Sequence, residues 1–143
     1  MQIALCVVLG MGVLAGCSKE AKKQRHLTTA NSLFQAGDYD KAEIEYLNVL
    51  KLEGTNLVAW QNLGQIYYDQ GRAIEAIRAL NRAKELSPAN LGVRLKLGLA
   101  LAAAGGLKEA REEAVYVVGQ SPTNDEALML LADSSILTND VRD

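Results

Sequence analysis

The sequence of 143 residues has little of several residue types on which protein chemistry often depends. It holds two cysteines, Cys6 and Cys17, and one histidine, His26, so neither a zinc finger nor a disulfide framework can be built. Lysine and arginine number 15 against 17 aspartates and glutamates, which leaves no basic surplus for a phosphate backbone. A glycine-rich phosphate loop is missing as well. These absences argue against a metal centre, a cofactor site, nucleic-acid binding and an enzyme active site.

The composition that is present is that of a folded protein. Hydrophobic residues make up 49% and charged residues 22%, with only 2 prolines. Such a chain can bury a core, so extensive disorder is not expected. The length suits one domain of modest size.

The N-terminus carries a short uncharged segment from Ile3 to Leu14. It is about twelve residues long, whereas a bilayer-spanning helix needs roughly 20, so a secretory signal is favoured over a permanent membrane span. The segment ends in Leu14-Ala15-Gly16-Cys17, which resembles the lipobox of bacterial lipoprotein signals. This resemblance implies a signal peptide over residues 1–16 that is removed on export, and a lipid attached to Cys17.

The lipoprotein resemblance also predicts a location. Residues 17–22 would form a lipidated tether, and Ser18 after the cysteine favours the outer membrane over the inner membrane. The basic residues that follow Ser18 are expected either to be solvated or to contact anionic lipid headgroups. The expected location is the bacterial cell envelope, with the chain lipid-anchored and facing the periplasm.

A period of 34 residues runs through the remainder of the chain, which indicates an array of structural repeats. Within one unit, Asn56 can cap a first helix, Gly71 ends that helix, and Pro88 ends a second one. The spacing predicts that Trp60 is buried between the helices. The period relates Gly37, Gly71 and Gly105; Ala42, Ala76 and Ala110; and Asn56, Asn90 and Asn124.

The unit over residues 57–90 resembles the tetratricopeptide repeat (TPR). The resemblance implies an all-α solenoid of antiparallel helix pairs, with about three and a half repeats after the cleaved signal peptide. The predicted units are TPR 1 over 23–56, TPR 2 over 57–90, TPR 3 over 91–124, and the first helix of a fourth, incomplete repeat over 125–143. The residues that carry the resemblance are Trp60, Leu63, Gly64, Tyr67, Ala76, Leu80, Ala83 and Pro88.

Two charged positions are expected to have structural roles only. Arg94 occupies the position of Trp60 in the third repeat, and we expect its methylenes to cover the core while its charge stays in water. The adjacent Glu112 and Glu113 are expected on a solvated, charged helix face.

In TPR proteins the first helices of successive repeats line a concave groove, so the resemblance implies a surface that binds a protein or peptide partner. A variant of the family clamps a peptide carboxylate, but Leu27 and Gly92 stand where that clamp requires lysines. The clamp is therefore not expected to work here. The predicted groove residues are Asn31, Phe34, Gln35, Gln61, Gln65, Tyr68, Asp69, Leu95, Leu99 and Met129.

Together these patterns predict a membrane-anchored, non-enzymatic scaffold. Lipoproteins of this kind resemble subunits of β-barrel assembly, type IV pilus, exopolysaccharide or PEP-CTERM systems. Two alternatives stay open, namely an N-terminal fragment of a longer TPR array and an accessory subunit of an envelope enzyme. The helix over 125–143 is apolar on nearly all sides, which also predicts self-association or docking through it.

Overall fold

The computed structural model describes the backbone of residues 3–140 and the side chains of residues 18–135. Over this range the chain forms seven helices and no strand, which confirms the all-α prediction. The predicted lipidation of Cys17, the cleavage before it, and the side chains from Ile136 onward fall outside the described side chains. The helices are α1 (Ile3–Gln35), α2 (Tyr39–Leu52), α3 (Leu57–Asp69), α4 (Ala73–Leu86), α5 (Leu91–Ala103), α6 (Leu107–Gln120) and α7 (Asp125–Asp140).

The helices divide into two compact units, one ending at Ala59 and the other beginning at Trp60. In the first unit α1 packs against α2. In the second unit α4 packs against α5, α5 against α6, and α6 against α7, and α7 also reaches α5. No helix in the described part of the chain has the length and apolar character needed to cross a bilayer.

Three asparagines begin α3, α5 and α7 in the same way. The Oδ1 atoms of Asn56, Asn90 and Asn124 accept hydrogen bonds of 3.0, 3.1 and 2.8 Å from backbone N–H groups three residues further on. Each bond satisfies a helix-start N–H group that has no partner within the helix. The sequence prediction that Asn56 caps a helix is confirmed.

The turn between the helices of each pair also repeats. Gly37, Gly71 and Gly105 have φ angles of 76°, 73° and 83°, a left-handed conformation that residues with a Cβ rarely adopt. After Gly71, the N–H of Arg72 donates to the carbonyl of Tyr67 at 2.8 Å, which is the long bond of a Schellman turn. Equivalent bonds of 3.0 and 2.8 Å follow Gly37 and Gly105, so one turn geometry recurs at the 34-residue period.

Close helix packing in the second unit depends on small residues. A Cβ atom placed on Gly64 of α3 would lie 2.5 Å from Cγ of Leu80 in α4. On Gly98 of α5 it would lie 2.7 Å from Cδ2 of Leu130 in α7. Neither glycine has room for a methyl group unless its neighbour moves. Trp60, which the sequence predicted to be buried between the helices, is only half-buried.

A charged cluster lies within the packing of α4, α5 and α6. Glu113 is 6% exposed, and its carboxylate accepts hydrogen bonds from Lys84 Nζ and, at 2.7 Å, from Arg94 Nη1. The Arg94 guanidinium also lies 3.7 Å from the centroid of the Tyr116 ring and donates from Nε to the Pro88 carbonyl at 2.6 Å. The expectation of a solvated Glu113, and of an Arg94 charge in water, was therefore wrong.

Candidate partner-binding groove

Two adjoining pockets open on the second unit, between α3, α5 and α7. The first, of about 320 Å³, has a polar end and is lined by Gln65, Gly92 and Lys96 together with shared residues. The second, of about 470 Å³, is mainly apolar. Tyr68, Leu99 and Glu126 line both pockets, which makes them one continuous surface that we call the Tyr68 groove. Its apolar pocket is completed by Ala102, Ala103, Leu107, Met129, Leu130, Asp133 and Ser134.

Helical spacing explains why these side chains meet. Gln65 and Tyr68 are three apart on α3, and Leu95 and Leu99 are four apart on α5, so each pair shares a helix face. The C-terminal ends of α3 and α5 are fixed by the repeated glycine turns. The sequence thus directs one stripe of α3 and one stripe of α5 toward the same surface.

The polar end of the groove is organised around the amide of Gln65. Its Nε2 donates to Oδ1 of Asp69 at 2.6 Å, and its Oε1 accepts a hydrogen bond from Nζ of Lys96. The amide therefore bridges an anion on α3 and a cation on α5. Both charged groups are held in place without forming a direct ion pair with each other.

The apolar end of the groove is partly open to solvent. Leu130 belongs to the core and is 5% exposed, whereas Met129 beside it is 67% exposed. The charged residues of the apolar pocket are Glu126 and Asp133, both exposed on α7. This end of the groove is an apolar surface with an acidic border.

The structure brings together five of the ten predicted groove residues in this one place. Asp69 adjoins them through its hydrogen bond with Gln65. Gln61 is half-buried on α3 and is not part of the lining of either pocket. The five that line the Tyr68 groove are Gln65, Tyr68, Leu95, Leu99 and Met129.

The other predicted groove residues belong to the first unit. The buried Tyr46 donates a 2.8 Å hydrogen bond from its hydroxyl to Oδ1 of Asn31. The Phe34 ring lies 5.6 Å from that of Tyr39 and 6.4 Å from that of Tyr46. Asn31 and Phe34 thus hold α1 against α2, while Gln35 is exposed. Their part in binding a partner stays a prediction.

Glu126 is the main lining residue that the sequence prediction missed. It lies two periods of 34 residues after Val58, a position that the TPR resemblance also places on the groove side of the second repeat. The 34-residue register that predicted the groove residues of the second repeat therefore also predicts a groove position for Glu126. Leu107 could not be found in this way, since it begins a second helix, α6.

Among the described side chains, no group of three histidine, cysteine, aspartate or glutamate residues is placed to hold a metal ion. His26 Nδ1 lies 2.5 Å from Oε2 of Glu45, and this contact joins α1 to α2. Both residues are half-buried within the first unit.

Comparison with known proteins agrees with this fold. Residues 27–90 match the tetratricopeptide repeat family model. A TPR repeat-containing protein of Methanocaldococcus jannaschii is 31% identical over 117 residues, which cover 77% of this chain. Because the match covers 19% of that protein, the chain spans only a small part of this curated relative's length.

Two solved structures show the same architecture. The first TPR domain of Spaghetti (RPAP3), bound to an HSP90 peptide, matches 83% of this chain and 94% of that chain, with a TM-score of 0.77 and 24% identity. MamA residues 41 to the end, from Desulfovibrio magneticus RS-1, matches 82% of this chain and 67% of that chain, with a TM-score of 0.77 and 21% identity. The repeats and the fold confirm that this chain is a TPR protein, an all-α solenoid of antiparallel helix pairs.

Proposed function

We propose that the chain is a non-enzymatic, membrane-anchored TPR scaffold that binds a protein or peptide partner in the Tyr68 groove. The observation that carries this proposal is the open apolar pocket beside Tyr68, in which Met129 is 67% exposed. Exposed apolar surface that is continuous with a pocket usually marks a contact site. Tyrosine is also among the residues that dominate binding energy at protein interfaces.

A TPR relative supports the same class of ligand. The Spaghetti TPR domain was solved with an HSP90 peptide, so a fold of this shape accommodates peptide segments. At 24% identity that likeness concerns the fold, and the identity of this chain's partner rests on its own groove.

A photo-crosslinking experiment tests the groove directly. A photoreactive phenylalanine analogue replaces Met129 in one variant expressed in its native cells, and replaces Val115 in a control variant. Val115 is 52% exposed on α6 and lies outside the groove lining. We expect a discrete crosslinked adduct from position 129 that is absent at 115 and is lost with Tyr68→Ala. Identical adducts from the two positions, or none from 129, would rule out binding at this groove.

We further propose that a lipid on Cys17 holds the protein at the bacterial envelope, facing the periplasm and at the outer rather than the inner membrane. The support is the Leu14-Ala15-Gly16-Cys17 motif directly after an uncharged segment. The scaffold would then serve an envelope assembly, pilus, or PEP-CTERM or exopolysaccharide export system.

Metabolic labelling with an alkyne-bearing palmitate tests the anchor. The wild-type protein should take up the label and fractionate with membranes, and Cys17→Ser should do neither. Cys6→Ser is the matched control, because Cys6 lies within the predicted signal and should leave labelling unchanged. An unmodified mature N-terminus at any other residue would contradict the anchor.

A further inference from the structure

We infer that the Tyr68 groove receives a peptide segment in which two basic side chains flank an apolar one. This inference deepens the proposed function and rests on it, since it names the chemistry of the partner. It follows from three features of the apolar pocket, namely the apolar side chains that line it, the spacing of its two carboxylates and its unbalanced negative charge.

The two carboxylates of the apolar pocket lie on one face of α7. Glu126 and Asp133 are seven residues apart, which is two helical turns and about 10.5 Å along the axis. Met129 and Leu130 lie between them and contribute to the same pocket. The surface therefore presents an anion, an apolar patch and a second anion in a row.

The charge of this pocket is not balanced within the groove. Among the residues with described side chains, neither Glu126 nor Asp133 forms a hydrogen bond or an ion pair. In its described lining the groove has one cation, Lys96, which lines the first pocket together with Glu126 and donates to Gln65, so one positive charge faces two carboxylates. A ligand with basic side chains would supply charge-assisted hydrogen bonds to both carboxylates, while its apolar side chain covers Met129.

The same features disfavour an acidic partner. A glutamate-rich or free C-terminal peptide would bring like charges next to Glu126 and Asp133, and juxtaposed like charges select against a partner. Lys96, which lines the same pocket as Glu126, is already hydrogen-bonded to Gln65, and Gly92 adds no further cation there. The groove thus selects for cationic segments by repelling anionic ones as well as by attracting basic ones.

Synthetic peptides of opposite charge test the inference. The probes are fluorescein-labelled and end-capped, with the central sequence Lys-Ser-Leu-Ser-Lys or Glu-Ser-Leu-Ser-Glu. In an extended peptide the three alternate side chains point to one side and span about 13 Å, within reach of both carboxylates because lysine side chains are flexible. Fluorescence anisotropy with the full chain in detergent at low salt measures both affinities.

We expect the lysine peptide to bind at least tenfold more tightly than the glutamate peptide, and the difference to shrink as salt is raised. The double variant Glu126→Gln, Asp133→Asn should reduce the ratio to near one, and Glu126→Lys with Asp133→Lys should reverse it. Glu112→Gln, an exposed substitution on α6, is the matched control and should leave the ratio unchanged.

Three outcomes would overturn the inference: equal affinities for the two peptides, tighter binding of the glutamate peptide, or a ratio insensitive to the α7 variants. Crosslinking at position 129 distinguishes these failures from failure of the proposed function. If position 129 still captures a partner in cells, the groove binds a ligand of different charge. If it does not, the groove itself is not a binding site.

Discussion

Single residues set how closely the helices of the second unit approach one another. An alanine in the middle of a helix is ordinarily preferred over glycine, but a Cβ on Gly64 would lie 2.5 Å from Cγ of Leu80. We predict that Gly64→Ala destabilises the protein by about 1–3 kcal/mol, the usual range for overpacking a core. A urea unfolding curve followed by circular dichroism measures the change.

Gly119 provides the matched control for this substitution. It also lies in a helix, α6, and a Cβ placed there would meet no atom within 4 Å. Gly119→Ala should therefore leave stability unchanged or raise it, by up to about 1 kcal/mol. The packing argument would fail if the two substitutions shifted the urea midpoint in the same direction.

The buried carboxylate of Glu113 gives a second prediction at this scale. Glu113→Gln removes the charge that pairs with Lys84 and Arg94, whose side chains are 31% and 15% exposed. Because these cations would lose their partner while only partly hydrated, we expect a loss of about 1–3 kcal/mol. The neighbouring Glu112→Gln, on the exposed side of α6, should cost less than about 0.5 kcal/mol. Equal losses in chemical denaturation would show that the cluster contributes nothing.

At the scale of helices, an ion pair between α1 and the residue that follows α2 gives a prediction about pH. The Lys23 ammonium lies 3.3 Å from Oε2 of Glu53. The pKa of Glu53 is held below its ordinary value of 4.5, first by a hydrogen bond from the Asn56 side chain and then by Lys23. The pKa of Lys23 is raised above 10.5, first by Glu20 and then also by Glu53.

The sign of the pH effect follows from these directions. The contribution of Glu53 is present above its ordinary pKa and is lost as pH falls through the lowered folded-state value. That of Lys23 is present below 10.5 and is lost as pH rises through its raised value. We predict a small decrease in stability for Glu53→Gln at pH 7 that becomes smaller at a pH well below the ordinary pKa of 4.5. Thermal melts at the two pH values measure it, and an equal decrease at both would contradict the pKa argument.

The last helix, α7, also keeps apolar side chains in contact with solvent. Leu128 is 40% exposed, and it lies outside the lining of the Tyr68 groove. We predict that Leu128→Lys lowers self-association of the full chain in detergent, as measured by light scattering at increasing concentration. Ile74→Lys, at a position 55% exposed on α4, is the control and should have no effect. A chain that is monomeric before either substitution would refute the self-association prediction.

Over the molecule as a whole, the features that recur at the 34-residue period were predictable from the sequence, whereas the contacts specific to one repeat were not. The asparagine caps and the glycine turns recur at a fixed period, so one local explanation applies wherever the pattern occurs. The half-exposed Trp60 and the buried Glu113 depend on neighbours distant in sequence, which the periodicity of one helix does not identify. Lys84 reaches Glu113 from 29 residues away, on a helix of another repeat.

The candidate groove was predictable to the same extent. Gln65, Tyr68, Leu95, Leu99 and Met129 were found because they share one register on successive first helices. Leu107 was missed because it begins a second helix. The hydrogen bond between Gln65 and Lys96 was missed because residue spacing does not determine side-chain rotamers. The sequence thus indicated the binding face, and its register also contained the position of Glu126, whereas the arrangement of Glu126 and Asp133 around Met129 emerged from the structure of α7.

The charged cluster at Glu113 also has a consequence for how the second unit opens. Its carboxylate on α6 holds a cation from α4 and another from α5, so α6 cannot detach without exposing unpaired charge on two other helices. Local opening that would otherwise release one helix at a time should therefore be suppressed across these three. Native-state hydrogen exchange should show α4, α5 and α6 exchanging with one common opening free energy, and Glu113→Gln should separate that common value into different ones. Distinct exchange energies for the three helices before any substitution would show that the cluster does not couple them.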